Sequence, residues 1–152
     1  MINIYIDGSS FGNPGDSGIG VVFLEGENNL KNISRYIGTQ TNNVAEYSAL
    51  ICALQEALVM KMKEICIFSD SELLCKQIKG EYKVKNENIK NLFSQAVGMI
   101  QGFENFCLKQ IPREKNAEAD KLARLAVKDK RSKVDGIAAH HAKKREGGKS
   151  EL

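Results

Sequence analysis

Along this chain the spacing of apolar residues changes period several times, and the order of those changes leaves few folds open. Apolar runs at Ile2–Ile6, Gly18–Leu24 and Leu30–Ile37 read as strands, separated by Gly12-Asn13-Pro14-Gly15 and Gly26-Glu27-Asn28-Asn29. Connections that short and polar imply an antiparallel meander. From Asn42 to Lys61 the period is helical: Val44, Tyr47, Ile51, Leu54 and Leu58 share one stripe, and Leu50, Ala53 and Ala57 another. Strand, helix, helix, strand and helix follow over residues 64–69, 71–79, 87–101, 105–111 and 117–128, with Pro112 ending the last strand. The order βββαβααβα predicts an α/β fold built on a five-stranded mixed sheet of strand order 3-2-1-4-5. Strands 1 to 3 form the meander, strands 4 and 5 run parallel to strand 1 through helical crossovers, and helices cover both faces.

A length of 152 residues suits one domain with a full core. Its 42% hydrophobic content contains no apolar stretch near the ~18 residues a membrane helix needs. The start Met1-Ile2-Asn3-Ile4-Tyr5-Ile6-Asp7 has no basic region and enters a strand pattern at once, so no signal peptide and no membrane partner are expected. Cys52, Cys66, Cys75 and Cys107 form no CxxC pair, and both histidines, His140 and His141, lie near the C-terminal end. That argues against structural zinc and for reduced thiols in a cytoplasmic protein. Residues 128–152 hold eight Lys or Arg against four acids, so the rest of the chain is net −1 within a total of +3. The chain therefore divides into a domain over 1–129 and a basic, weakly ordered tail over 130–152, either a solvated terminus or an arm attracted to phosphate.

Four acids stand at telling places: Asp7 and Asp70 close the runs Ile2–Ile6 and Ile65–Ser69, Glu46 sits early in the first helix, and Asp120 in the first turn of the last. If the two runs are parallel strands, both aspartates emerge at the strand end where open α/β sheets place ligands. Alone, Asp7 reads as a turn former and Asp70 as a helix cap. Asn116 reads as the N-cap before Glu118 and Asp120, themselves favourable near a helix start. Glu46 is different, since it shares a stripe with Leu50, Ala53 and Ala57 and must enter the edge of the core. Four carboxylates gathered there repel one another unless divalent cations neutralise them, and hard oxygen ligands select Mg²⁺ or Mn²⁺.

Ile6-Asp7-Gly8-Ser9 with Gly12-Asn13-Pro14-Gly15, then Thr41-Asn42-Asn43-Val44-Ala45-Glu46, Phe68-Ser69-Asp70-Ser71, and the segment Pro112 to Asp120, in this order, resemble type 1 ribonuclease H over about residues 1–128. The resemblance implies hydrolysis of the RNA strand of RNA–DNA hybrids, leaving 5′-phosphate and 3′-hydroxyl ends. Asp7, Glu46, Asp70 and Asp120 match the four acidic metal ligands, which would hold two ions, Mg²⁺ or Mn²⁺, against the scissile phosphate. Asn13, Asn42 and Asn43 match minor-groove contacts, where an amide can both donate to and accept from a 2′-hydroxyl. Ser10 and Glu46 match further contacts to the RNA strand, while Thr41 and Asn86 match a pocket for a DNA phosphate. As structural residues, Asn42 and Asn86 would each be helix N-caps. A monomer is expected, and cleavage of double-stranded RNA is left open.

The chain departs from many members in two ways. It has no histidine in the loop before the last acid, where Arg113 resembles an arginine carried by some archaeal and bacterial members, either a phosphate or leaving-group contact or a surface residue. A Trp- and Lys-rich protrusion is replaced by Gly80-Glu81-Tyr82-Lys83-Val84-Lys85. A related nuclease acting on DNA, or a hybrid-binding module without catalysis, would share the fold; the Thr41-Asn42-Asn43 element and the complete set of acids argue against each. Truncation after Lys128 is expected to keep activity and lower hybrid affinity at modest salt, measured by fluorescence anisotropy across a salt series; unchanged affinity would make the tail a bystander.

Overall fold

A computed structural model describes residues 1–130; apart from Lys130, the tail expected over 130–152 lies outside the described residues. The chain forms β1 (Ile2–Gly12), β2 (Gly15–Glu25), β3 (Asn28–Gln40), α1 (Asn42–Val59), β4 (Glu64–Ser69), α2 (Glu72–Ile78), α3 (Glu87–Ile100) and β5 (Asn105–Gln110). A 3-10 turn, Arg113–Lys115, then leads into α4, which is helical from 117 through 130. The sheet order is β3-β2-β1-β4-β5, with β1–β2 and β2–β3 antiparallel and β1–β4 and β4–β5 parallel, as the element order predicts.

The meander is longer than expected. Asp7 does not end β1 but lies inside it, paired with Gly20, and the strand continues to Gly12. The reason is that β1 has two neighbours of different length. Its parallel ladder to β4 stops at Tyr5↔Phe68, whereas its hairpin with β2 runs on to Gly12↔Gly15. Asp7 therefore stands just past the end of the parallel half of the sheet, and Asp70 follows the last residue of β4. The hairpin closes through Asn13 and a cis Pro14. No described helix is long and apolar enough to cross a membrane.

One core lies between the sheet and α1. Leu50, Ala53, Leu54 and Ala57 of the helix pack with Ile4, Ile6, Ile19, Val21, Phe23, Ile65 and Ile67, and α3 adds Ile89 and Ala96. Each fully buried Ile, Leu or Phe contributes about 1.5–3 kcal/mol, enough to fix the height of α1 over the sheet. Three cysteines, Cys52, Cys66 and Cys75, are buried, and all four are free thiols.

On the opposite face, α4 lies against β2 through small residues. A Cβ on Gly20 would stand 2.0 Å from the Ala119 carbonyl oxygen, and one on Gly18 2.3 Å from that of Ala123. Ala119, Ala123 and Ala126 are buried in that contact. Strand and helix backbones thus touch, which brings the first turn of α4, and Asp120 with it, down onto the sheet. Gly20→Ala must push the helix away; we expect a loss of about 1–3 kcal/mol in urea unfolding, typical of overpacking, with a larger loss of metal-dependent stabilisation than at an exposed control such as Gly98→Ala.

Candidate active site

Gly8 is the first element of the site. A Cβ there would lie 2.2 Å from the Ala45 carbonyl carbon and 2.5 Å from the Glu46 nitrogen, so only glycine lets β1 run against the first turn of α1. That closeness allows the Gly8 N–H to donate to Glu46 Oε1 at 2.6 Å. Thr41, rather than Asn42, is the N-cap of α1, its hydroxyl accepting from the Val44 N–H at 3.3 Å. Three polar residues in a row could each have capped this helix, and the extended backbone of Thr41 selects it. Likewise Ser71, not Asp70, caps α2, accepting from Leu74 N–H at 3.2 Å, which leaves the Asp70 carboxylate free of that duty.

Carboxylate oxygens of Asp7, Glu46 and Asp70 all lie within 4.8 Å of one another. Asp7 is buried, and Glu46 and Asp70 are half-buried. Asp120 lies outside that 4.8 Å group, but it is near enough to help hold the Asp7 carboxyl in its protonated form. Both of its oxygens also face Arg124, whose Nε is 3.1 Å from Oδ2 and 3.3 Å from Oδ1. The exposed Arg113, in the 3-10 turn, is near enough for its charge to favour the ionised form of Glu46.

Asn116 stands where the N-cap of α4 is expected, its backbone carbonyl accepting from the Asp120 N–H at 3.1 Å, but its side chain does not cap the helix. Its side chain turns inward, is 1% exposed, and donates from Nδ2 to the Ile6 carbonyl at 2.8 Å and to Asp70 Oδ2 at 3.0 Å. Both neighbours are acceptors, so the amide must present nitrogen to them. Among the described residues its Oδ1 is then buried without a partner, at a cost of roughly 1–3 kcal/mol. Neither this bridge nor the contact at Gly8 was foreseen: a polar residue before an acidic helix start looks like a cap, and a glycine after a strand aspartate looks like a turn.

The residues expected to meet substrate fall into two places. Ser10, Asn13, Thr41, Asn42 and Asn43 cluster where the β1–β2 hairpin meets α1: Asn13 Oδ1 accepts from Asn42 N–H at 3.0 Å, and Ser10 Oγ donates to the Gln40 carbonyl at 2.9 Å. Asn86 stands on a different element as the N-cap of α3, accepting from Asn88 N–H at 2.8 Å. No hydrogen bond joins it to Thr41 among the described residues.

Crowding acid groups away from water has the expected electrostatic effect. Burial first, then the charge of Glu46, pushes the Asp7 carboxyl from 3.8 up to about 9. Burial pushes Glu46 from 4.5 up to about 8, against the Gly8 N–H bond, which lowers it. A site that resists ionisation this strongly, and offers only hard oxygen donors, fits a divalent cation of the Mg²⁺ or Mn²⁺ type. Because the folded values exceed the unfolded ones, both groups stabilise the metal-free fold below about pH 4 and that stability is lost as pH rises through 8 to 9. Thermal melts in chelator should therefore fall between pH 5 and 9.5, with added Mn²⁺ raising the melting temperature most at the alkaline end; a flat profile would contradict this electrostatic picture.

The family model described as "Reverse transcriptase-like" matches residues 5–126. A bifunctional protein of Mycobacterium tuberculosis is 36% identical over 126 residues, 82% of this chain and 35% of that protein. This chain thus spans about a third of the mycobacterial relatives it matches. The ribonuclease H of Prosthecochloris aestuarii is 31% identical over 148 residues, covering 86% of this chain and 97% of that protein. Among solved structures, LC11-RNase H1 in complex with an RNA/DNA hybrid superposes with a TM-score of 0.80 at 43% identity, covering 85% of this chain and 98% of that one.

Proposed function

Since this chain belongs to the ribonuclease H family, type 1, we propose that it is a metal-dependent endoribonuclease that cuts the RNA strand of RNA–DNA hybrids and leaves 5′-phosphate and 3′-hydroxyl ends. The observation that carries this reading is the convergence of Asp7, Glu46 and Asp70 oxygens within 4.8 Å at the edge of a sheet whose fold matches a hybrid-bound relative. Asp7, Glu46 and Asp70 would hold the cations, Mg²⁺ or Mn²⁺ by their donor chemistry, with Asp120 completing the set from α4. Two such ions held by these carboxylates would supply a more acidic water and charge neutralisation at the leaving 3′ oxygen.

The chain's own groups would bind and orient the duplex. Asn13, Thr41 and Asn86 each spend a side-chain acceptor on a backbone N–H, and their side-chain donors make no hydrogen bond among the described residues. Such N–H and O–H groups suit phosphate oxygens and the 2′-hydroxyl, the group that separates RNA from DNA. Asn42 and Asn43 are exposed beside them and add amides that both donate and accept. Ser10 stands at the same corner on the strand that carries Asp7, and Glu46 stands on the helix that begins at Asn42, so the RNA strand would pass from the amides to the acids. Arg113, exposed and electrically coupled to Glu46, would meet a phosphate near the scissile bond. Free thiols throughout suit a reducing cytoplasm.

Incubation with Mg²⁺ or Mn²⁺ and a labelled hybrid, beside matched DNA and RNA duplexes, tests the reading: cleavage confined to the RNA strand of the hybrid is expected. Cleavage of DNA would indicate a different nuclease, and binding without cleavage a recognition module. Asp70→Asn should lower kcat by roughly a hundredfold or more, as loss of a charge-stabilising group does, while hybrid binding changes only a few-fold. Loss of the circular dichroism spectrum in that variant would make Asp70 structural instead.

A further inference from the structure

Asn116 touches the framework of three of the four acids at once. Its Nδ2 donates to Asp70 Oδ2 at 3.0 Å; the same nitrogen donates to the carbonyl of Ile6, the residue before Asp7, at 2.8 Å; and its own carbonyl accepts from the Asp120 N–H at 3.1 Å. The place is specific. The parallel ladder between β1 and β4 ends at Tyr5↔Phe68, and Asn116 supplies the next link between those strands, joining Ile6 on one to the residue after the other. The geometry also fixes which Asp70 oxygen the amide holds: Nδ2 engages Oδ2.

We propose that Asn116 is the positioning residue of the metal site, orienting the Asp70 carboxylate and setting the spacing between Asp7, Asp70 and Asp120 before any cation binds. This rests on the metal-dependent reading above. A buried amide is suited to the task because it carries no charge and cannot itself compete for the cation, yet it gives a directed N–H to a carboxylate. The fold tolerates an unpartnered Oδ1 to keep that N–H in place, which a purely structural filler would not require. Asn116 need not touch substrate, and its removal should act on metal affinity and not on hybrid affinity.

The test is Mn²⁺ binding to the substrate-free protein by electron paramagnetic resonance, comparing wild type, Asn116→Leu, Asn116→Ala and a control, Gln77→Leu. Gln77 is also a buried amide, accepting from the Tyr47 hydroxyl at 2.7 Å, but its partner is not an acid of the site. Mn²⁺ affinity should fall roughly 10–100-fold in either Asn116 variant, the range for groups that orient metal ligands, and change no more than about twofold in the control. In steady-state assays kcat should drop at limiting Mn²⁺ and recover at saturating Mn²⁺, with KM for the hybrid unchanged. If Asn116→Leu does not fold, Asn116→Ala, which inserts no new bulk, gives the same comparison. Affinity within about twofold of wild type in a folded Asn116 variant would overturn the proposal alone, and so would an equal loss in Gln77→Leu. Absence of Mn²⁺ binding by the wild type would overturn the nuclease reading and this proposal with it.

Discussion

How near the backbone of β1 comes to the first turn of α1 governs the rest of this structure. At Gly8 the two backbones meet with no room for a single methyl group, and the hydrogen bond that results holds the Glu46 carboxylate beside a strand it does not belong to. Without that contact the helix would ride higher, and the glutamate would find water before it found Asp7. The apolar packing of Leu50, Leu54 and Ala57 against Ile4, Ile6 and Ile67 presses the helix down, and Gly8 decides how far it can go.

The opposite face repeats the device with other residues. Gly18 and Gly20 let α4 settle on β2, and the alanines of that helix replace side-chain bulk with backbone contact. Two helices thus converge on the same edge from opposite sides of one sheet, each bringing an acid. The convergence is electrostatically unfavourable: like charges meet in a partly dry environment, and burial and mutual repulsion together resist ionisation. Packing energy spread over some twenty core residues keeps in place an arrangement that the charged groups alone would disperse. A divalent cation bound among these oxygens would relieve that opposition.

Much of this was legible in the chain before folding. The switch from period two to period 3.6 marks each element, and the sheet order follows from which connections are short and which contain a helix. The acids were legible because they end apolar runs or interrupt an apolar stripe, positions where a charge is anomalous. What the local pattern could not show depends on distant partners. The half of β1 from Gly8 to Gly12 carries Gly, Ser and Phe in no clear alternation, and it is a strand only because β2 pairs with it. Asn116 looks like a cap because nothing nearby reveals that Asp70 and Ile6, 46 and 110 residues away, will be waiting for its amide. Thr41 and Ser71 took the caps assigned to Asn42 and Asp70 for a similar reason: adjacent polar residues are interchangeable until the backbone chooses one.

The early end of β4 has a further consequence. Past Tyr5, the flank of β1 that faces β4 would present bare peptide groups, the kind of margin on which a foreign extended segment can add itself. Here the Ile6 carbonyl and the Gly8 amide are both stoppered, one by Asn116 and the other by Glu46. The plugs that seal this seam against aggregation are the same groups that build the pocket. Two more paired residues in β4 would zip the seam shut with main chain and evict both plugs, so the shortness of that ladder is a condition of having the site.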